Sequence, residues 1–306
     1  MIEPQDLTKE EKQYLDSLSS EFKERTKEKF KKLTITDDFM FSAVMRDKKY
    51  CKPFLERVLG IKIRDICYID YQKTIDNSAY NKSIRLDIYA EDENNTMYNV
   101  EMQTTLENDL PLRSRYYQCA LDSNLLEKGR KYRDLKESYI IFVCTFDLYK
   151  KGRSVYKFQY RDTEDPSISL GDKTTRIIVN VAGERVHVSK ELSALLDYFS
   201  GKGSSDEFTK SLDEAISDVI SNRKWGASYM LLAARDEDKL EEGRQEGLRE
   251  GRREGARKKE IEIVEKMYDA NLSMEQISSL TGIPLEEVKN ILSPFPHKEI
   301  EKLDLF

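Results

Sequence analysis

Two acidic residues, Asp87 and Glu101, stand on neighbouring segments that the sequence predicts to be the strands of a β-hairpin. Apolar and polar residues alternate in both segments, which is the period of a half-buried strand. On the first strand this alternation assigns one face to Ile84, Leu86, Ile88 and Ala90. The polar run EDENNT supplies the turn. A turn centred on Asn94 places Asp87 opposite Glu101 and Arg85 opposite Gln103.

Two carboxylates at opposed strand positions have Cβ atoms about 4.5–5.5 Å apart, and like charges at that separation are destabilising. A divalent cation between Asp87 and Glu101 would remove the repulsion, and Mg²⁺ prefers carboxylate and water oxygens. Mn²⁺ is the alternative ion. A second interpretation is an exposed hairpin face whose charges are screened by nearby Arg and Lys. The spacing of the residues leaves both interpretations open.

The composition restricts the class of protein. Charged residues make up 35% of the 306 residues and hydrophobic ones 39%, which indicates a polar, soluble chain. The net charge of −6 excludes a generic polyanion binder, so any contact with nucleic acid requires a local basic patch.

Neither a membrane span nor a zinc site is predicted. The chain has no apolar run of about 18 residues, and its N-terminus lacks a signal-peptide core. The cysteines Cys51, Cys67, Cys119 and Cys144 are scattered without metal-ligand spacing, so we expect reduced thiols and a cytoplasmic location. With two histidines in the sequence, histidine catalysis is not expected.

The elements around the hairpin predict an α/β fold with a mixed central sheet. A helix is expected over 110–131 and a central strand, buried on both faces, over 138–146. Further predicted elements are helices over 5–32 and 52–59, a helix that starts after Thr36 or Asp37, and strands over 61–71, 155–160 and 176–181. Asp38 then stands at a helix N-terminus, where an acid commonly caps the helix or offsets its dipole.

Beyond Gly183 the sequence is predicted to be helical. Four glycines recur every fourth residue, at Gly243, Gly247, Gly251 and Gly255. Each costs a helix about 1 kcal/mol relative to alanine, and Glu–Arg pairs three residues apart return part of that. The segment is either a flexible helical linker or a stripe along which a second helix packs, giving a homo-oligomer.

Residues 261–292 predict two helices around a Gly-containing turn, with a capping box at Ser273. This arrangement is typical of a helix-turn-helix, but the second helix, PLEEVKNIL, is acidic. This module could therefore either recognise DNA or pack against a partner, and the sequence leaves both roles open. The domain boundaries that we predict are 1–33, 34–185, 186–235, 236–260, 261–292 and a tail over 293–306.

Four segments together resemble the PD-(D/E)XK nuclease superfamily, and within it the bacterial recombination-promoting nuclease or transposase (Rpn-like) family. The segments are TDDFMFSAVM (36–45), RLDIYAEDENNTMYNVEMQ (85–103), LPLRSRYYQ (110–118) and SYIIFVCTFD (138–147). The resemblance covers about residues 33–181 and implies a restriction-endonuclease-like core, followed here by an α-helical C-terminal region.

The resemblance also implies roles for individual residues. Asp87 takes the metal-binding Asp, Glu101 the acidic position of the (D/E)XK element, and Gln103 the place of its lysine. The Mg²⁺ ligands implied are Asp87, Glu101 and the carbonyl of Met102, with Asp38 contributing from the first helix. The DNA-binding residues implied are Arg113, Arg115, Tyr117, Gln118 and Lys82.

The activity implied is metal-dependent DNA endonuclease activity that promotes recombination or serves mobile elements. Two positions depart from the family pattern. Gln103 cannot carry a positive charge, although Gln occurs here among Rpn-like members, and Ser42 stands where related sequences carry Lys. The alternative is a catalytically weak nuclease relic that binds DNA or another protein.

Overall fold

The computed structural model describes residues 6–75, 84–126 and 129–293. Contacts divide the chain into two compact units, Met1–Ala233 and Ala234–Phe306. The division falls next to the predicted boundary at residue 235. We describe each unit separately.

Six strands of the first unit form one mixed sheet. In chain order they are β1 (Ile66–Ile75), β2 (Ile84–Asp92), β3 (Met97–Gln103), β4 (Ser138–Cys144), β5 (Val155–Phe158) and β6 (Thr174–Asn180). Their order in space is β1-β2-β3-β4-β6-β5. β1, β2 and β3 pair antiparallel, β3, β4 and β6 pair parallel, and β5 is antiparallel to β6. The predicted α/β fold with a mixed sheet is confirmed.

Strand β4 lies inside the sheet and is buried on both faces, as predicted. Ile141 and Val143 contact the cluster on one face, whereas Ile140 and Phe142 contact the cluster on the other. A parallel neighbour requires a crossover connection, and helix α5 (Leu110–Leu125) supplies it between β3 and β4. The helix ends before the predicted residue 131, and β1 begins at Ile66 rather than at Ile61.

The helices that flank the sheet divide between its two faces. One face packs into a core formed with most of the helices of the unit, including residues from the N-terminal region and from 186–233. These helices include α2 (Ser20–Phe30), α3 (Asp38–Met45), α4 (Lys48–Leu59), α6 (Lys190–Phe199) and α7 (Glu207–Ser221), whereas α1 (Lys9–Ser17) contributes no buried residue. The other face is covered by α5. Residues 186–233 therefore share the core of the sheet.

The apolar side chains that alternate on β2 do not all contact the same core. Ile84 and Leu86 belong to the cluster under α5, whereas Ile88 and Ala90 belong to the opposite cluster. The prediction that all four share one face was wrong. The pairing of β2 with β1 keeps one register on both sides of Asp87, so the change concerns the core that each side chain contacts.

Helix α8 (Arg223–Asp269) is continuous, although the sequence suggested an amphipathic helix and a separate glycine-rich segment. Ion pairs three residues apart line its exposed surface, including Glu241–Arg244 at 2.7 Å and Glu246–Arg249 at 3.6 Å. Arg257 pairs with Glu260 and Glu287. These pairs offset part of the helix cost of the glycines.

The second unit has its own small core. Val264 of α8 packs with residues of α9 (Met274–Thr281) and α10 (Leu285–Leu292). The predicted capping box is present, since Ser273 and Gln276 exchange side-chain and backbone hydrogen bonds. Gly282 ends α9 with φ +74°, a left-handed conformation that suits glycine. Lys289 of α10 pairs with Glu286, so the exposed face of this helix stays acidic.

Two further sequence expectations concern the described residues. None of their helices is long and apolar enough to cross a membrane. All four cysteines are free, with Cys51 and Cys144 buried.

Candidate active site

The hairpin pairs in the register that the turn at Asn94 predicts. Ile88 lies opposite Val100, Tyr89 opposite Asn99, and Ala90 opposite Tyr98. Continuing that register by one step brings Asp87 level with Glu101. The prediction that the two acids meet across the hairpin is therefore confirmed in position.

The two strands part at this level. β2 continues its pairing with β1, as Leu86 lies opposite Lys73, and β3 continues its pairing with β4, as Glu101 lies opposite Phe142. Among the described residues, the β2–β3 backbone pairing reaches Ile88 and Val100. The sheet thus opens into a fork, with Asp87 on one side and Glu101 on the other.

The carboxylates take over the hydrogen bonds that the fork interrupts. The Asp87 backbone N–H donates to Oε1 of Glu101 at 3.2 Å, and the Met102 N–H donates to Oδ2 of Asp87 at 3.0 Å. Each acid therefore holds backbone of the opposite strand. A buried N–H without a partner is costly, so these two bonds fix both carboxylates inside the fork.

Burial makes the negative charges costly. Glu101 is 1% exposed, and Asp87 is partly buried. Burial raises the pKa of Asp87, and the charges of Glu101 and Asp38 raise it further. Burial also raises the pKa of Glu101, against the opposing effects of the Asp87 N–H and of Arg113. A pair of acids that both resist ionisation is typical of functional sites.

Asp38 approaches the fork from the α3 face of the sheet. Asp37 is the N-cap of α3, but its carboxylate accepts from the backbone and hydroxyl of Thr34 instead of capping the helix. Asp38 follows it, is exposed, and shares a hydrogen bond with Asp87 that favours the protonated form of Asp87. This places the third acid at the mouth of the fork.

Arg113 reaches the fork from the α5 face. Its Nη1 donates to Oε1 of Gln103 at 3.1 Å and to Glu107 at 3.0 Å, and its Nη2 lies 3.4 Å from Oε2 of Glu101. The guanidinium also lies over the rings of Tyr117 and Phe142, at 5.4 and 5.5 Å from their centroids. Arg113 is thus a member of the acid site, and its predicted contact with DNA stays a prediction.

Three buried polar groups, on α3, β3 and α5, lack well-formed hydrogen bonds. They are the Ser42 hydroxyl, both amide atoms of Asn99 and the Nε of Arg113. Asn99 is fully buried, and its amide lies close enough to Glu101 to lower that residue's pKa. Asn99 was not predicted as a site residue, although it lies two positions before Glu101 on the same strand face. Orphaned polar groups are rare and mark places where water, ions or substrate bind.

The remaining predicted DNA contacts fall in different places. Tyr117 is buried beside Arg113, and burial together with the charge of Glu101 raises its pKa to about 12. Arg115 is exposed on α5. Lys82 lies outside the described residues.

Gln118 lies away from the acids, and its role in DNA binding stays a prediction. Its buried amide bonds to Asp122 and to Ser138 at 2.9 Å. Ser138 opens β4, about 13 Å along the strand from Phe142, the partner of Glu101. The amide of Gln118 therefore has a structural role at the other end of the sheet.

The donor set fits Mg²⁺, which binds through one or two carboxylates and keeps several waters. Asp87 and Glu101 supply two carboxylates in one fork, and Met102 lies directly after Glu101. The described residues contain no group of three His, Cys, Asp or Glu side chains close enough to form a complete cluster. An ion at the fork would hence rely on backbone and water oxygens for its other ligands.

The chain matches a known protein family over more than half of its length. The family described as PD-(D/E)XK nuclease family transposase matches residues 11–195. The match includes the whole sheet, the fork, α5 and the first part of α6. No curated protein and no solved structure matches the chain significantly.

The raised pKa values predict how stability depends on pH without metal. The folded state holds protons on Asp87 and Glu101 that the unfolded state releases, so the free energy of unfolding falls as pH rises from the unfolded pKa near 4 through the raised folded values. We expect Asp87→Asn, which keeps an acceptor for the Met102 N–H, to be the more stable protein at pH 8 in a chelator. Each unit of raised pKa corresponds to about 1.4 kcal/mol.

Thermal or urea unfolding at pH 5 and pH 8 measures the effect. Asp70→Asn, on β1, is the matched control and should follow the wild type. If wild type and Asp87→Asn lose the same stability between the two pH values, the buried acid is not the source of the pH dependence.

Proposed function

Because this chain belongs to the PD-(D/E)XK nuclease family of transposases, we propose that it hydrolyses DNA phosphodiester bonds as a Mg²⁺-dependent endonuclease. The observation that supports the proposal best is the fork, where Asp87 and Glu101 are buried and held by backbone N–H groups of the opposite strands. We further propose that the cuts promote recombination or the movement of mobile DNA. The free cysteines support a cytoplasmic location.

The residues that would hold the metal are Asp87, Glu101 and the carbonyl of Met102, with Asp38 holding a metal-bound water or a second ion from the mouth. Mn²⁺ would suit the same oxygens. A bound Mg²⁺ supplies Lewis acidity at the phosphate and lowers the pKa of a coordinated water. It would also shift both acids to their ionised forms, since a cation stabilises the charge that burial disfavours.

Gln103 and Arg113 together would replace the lysine of the motif. Gln103 is neutral, but its Oε1 accepts from Arg113, which leaves the Nε2 group to hydrogen-bond and orient a water. Arg113 brings a permanent positive charge within 3.4 Å of Glu101. A fixed cation stabilises charge that develops on the phosphate in the transition state. In this proposal the positive charge that the motif places on a lysine of β3 is supplied by Arg113 of α5.

A second candidate function is a catalytically weak relic that binds DNA or protein. Gln103 at the lysine position and the lack of a complete three-ligand cluster among the described residues favour it. Titration with Mg²⁺ or Mn²⁺ separates the two functions. Stabilisation by metal in wild type, lost in Glu101→Gln, supports the nuclease; DNA binding without any metal binding supports the relic.

The direct test is nicking of supercoiled plasmid with Mg²⁺. We expect Asp87→Asn and Glu101→Gln to lower the rate by about a hundredfold or more, because each removes a charged ligand. Glu91→Gln is the control, since Glu91 lies on the same strand and accepts from Tyr89, outside the fork. EDTA should abolish nicking by the wild type. Equal nicking by all four proteins would refute the assignment of the site.

The role of Arg113 can be separated from simple DNA binding. We expect Arg113→Gln to lower kcat about a hundredfold with little change in KM, because the charge acts on the transition state. Arg113→Lys keeps a charge and should recover part of kcat. Arg115→Gln, on the exposed face of α5, should raise KM instead. A wild-type kcat in folded Arg113→Gln would contradict the role.

The glycine stripe of α8 supports a further proposal, that two copies of the chain associate along it. A Cβ at Gly243, Gly247, Gly251 or Gly255 would meet no atom within 4 Å, so this stripe lies open. Small residues allow helices to approach closely.

Sedimentation of the full chain tests the association. We expect the wild type to self-associate and Gly247→Leu to weaken association about tenfold or more by filling the stripe. Gln245→Leu, which adds a similar side chain elsewhere on the helix, is the control. A monomeric wild type at micromolar concentration would contradict the proposal.

A further inference from the structure

Two grooves flank the N-terminal half of α5 and meet at Leu112 and Arg115. The first runs toward the start of β2, with Arg85 and Tyr116 in its lining. The second runs toward the edge strand β5, with Phe158 and Tyr160 in its lining. We call the two grooves together the α5 cleft. Both the catalytic proposal and the predicted DNA contacts leave most of this surface without a role.

The α5 cleft exposes several large apolar side chains. Leu112 is 59% exposed and Tyr160 is 49% exposed, and Tyr116 and Phe158 are also exposed. Isolated exposed apolar residues are ordinary on protein surfaces. A group of them that lines one concave surface, with aromatic rings among them, indicates a binding site.

Arginine side chains alternate with these rings. Arg85 and Arg115 are exposed and form no ion pair with any residue in the described part of the chain. The guanidinium of Arg176 lies over the ring of Tyr160, 5.4 Å from its centroid, and its Nε is buried without a hydrogen-bond partner. The overall charge of the chain is −6, so this local set of cations is a distinct feature.

The α5 cleft leads to the acids. Arg113 lines the first groove and also contacts Glu101 and Gln103 in the fork. Arg85 precedes Asp87 by two residues on β2. A chain of phosphates bound along the cleft would therefore pass next to the fork.

The chemistry of the α5 cleft suits an unstacked nucleic-acid strand better than a duplex. In a duplex the base faces stack on one another, and the surface consists of phosphates and groove edges. Exposed rings can stack only on bases that are free, whereas arginines bind phosphates in either form. Glu107 and Asp109 line one wall of the first groove, where they would repel phosphates. Glu107 is paired with Arg113, which reduces that repulsion.

We propose that the α5 cleft binds single-stranded DNA, with Tyr160 and Phe158 stacking on bases and Arg115 and Arg85 binding phosphates, and that it guides an unpaired strand to the fork. The last part rests on the proposed nuclease function, while the binding itself does not. The proposal narrows the substrate to single strands or unpaired regions within a duplex.

Binding in the absence of cleavage tests the proposal. The probe is a fluorescein-labelled, mixed-sequence oligonucleotide without self-complementarity, used alone or annealed to its complement. Anisotropy is measured with the full chain in EDTA. We expect the wild type to bind the single strand more tightly than the duplex. Tighter binding of the duplex would overturn the proposal.

Substitutions separate stacking from charge. Tyr160→Ala should weaken single-strand binding about tenfold without changing its salt dependence, and Tyr160→Phe should restore it, because a ring suffices for stacking. The logarithm of the association constant falls linearly with the logarithm of the salt concentration. Arg115→Ala should make this fall less steep by about 0.7, the value for one phosphate contact of a single strand. Tyr132→Ala and Arg64→Ala remove an exposed ring and an exposed cation elsewhere, and both should bind as the wild type does.

Plasmid nicking, measured in parallel, distinguishes failure of this proposal from failure of the nuclease. One possible outcome is that the wild type nicks plasmid in a metal-dependent way, while Tyr160→Ala and Arg115→Ala bind the single strand as the wild type does. This outcome overturns the role proposed for the α5 cleft but agrees with the nuclease. The cleft would then serve a partner other than DNA. If both variants bind the single strand more weakly and the wild type does not nick plasmid, the result supports the α5 cleft and overturns the nuclease.

Discussion

Two hydrogen bonds between carboxylates and backbone N–H groups set the character of this site. Where β2 and β3 part, the N–H groups of Asp87 and Met102 are held by Glu101 and Asp87. The bonds require both acids to stay inside the sheet, where burial and mutual repulsion disfavour their charged forms. The fold thus keeps two acids close together at a cost in stability, which a bound cation would relieve.

Helix α5 connects the fork to the rest of the molecule. As the crossover between parallel strands β3 and β4, it must lie across one face of the sheet, and its first turns come next to the carboxyl end of β3. Arg113 therefore reaches Glu101 and Gln103, while Leu112 and Arg115 remain at the surface. One helix thus lines both the acid site and the cleft through which we propose that a strand of DNA approaches.

Gln103 occupies the position that the family resemblance assigns to the lysine of the motif, and a cation of α5 lies next to it. Gln103 keeps its place on β3 but carries no charge, and the nearest permanent cation bonded to it is Arg113 on α5. Arginine is well suited to this position because its planar group donates to several acceptors at once and stays protonated even when partly buried. The guanidinium of Arg113 also lies over the rings of Tyr117 and Phe142, which help to hold it in place.

The sequence by itself determined the sheet class, the hairpin register and the meeting of Asp87 with Glu101. These follow from local rules, because strand period and turn position decide which residues face each other. It also determined the burial of β4 on both faces and the capping box at Ser273.

Only the tertiary structure decided the features that depend on contacts between distant segments. Periodicity gave no sign that Ile84 and Leu86 contact a different core from Ile88 and Ala90, because that depends on the helices that pack on each part of the sheet. Nor did the residue types show that Arg113 and Gln118, which lie five positions apart on one polar helix, have different roles. Their roles differ because α5 crosses the sheet from the fork toward Ser138, so each side chain meets a different end of β4. The burial of Asn99 beside Glu101 likewise requires α5 and the sheet together.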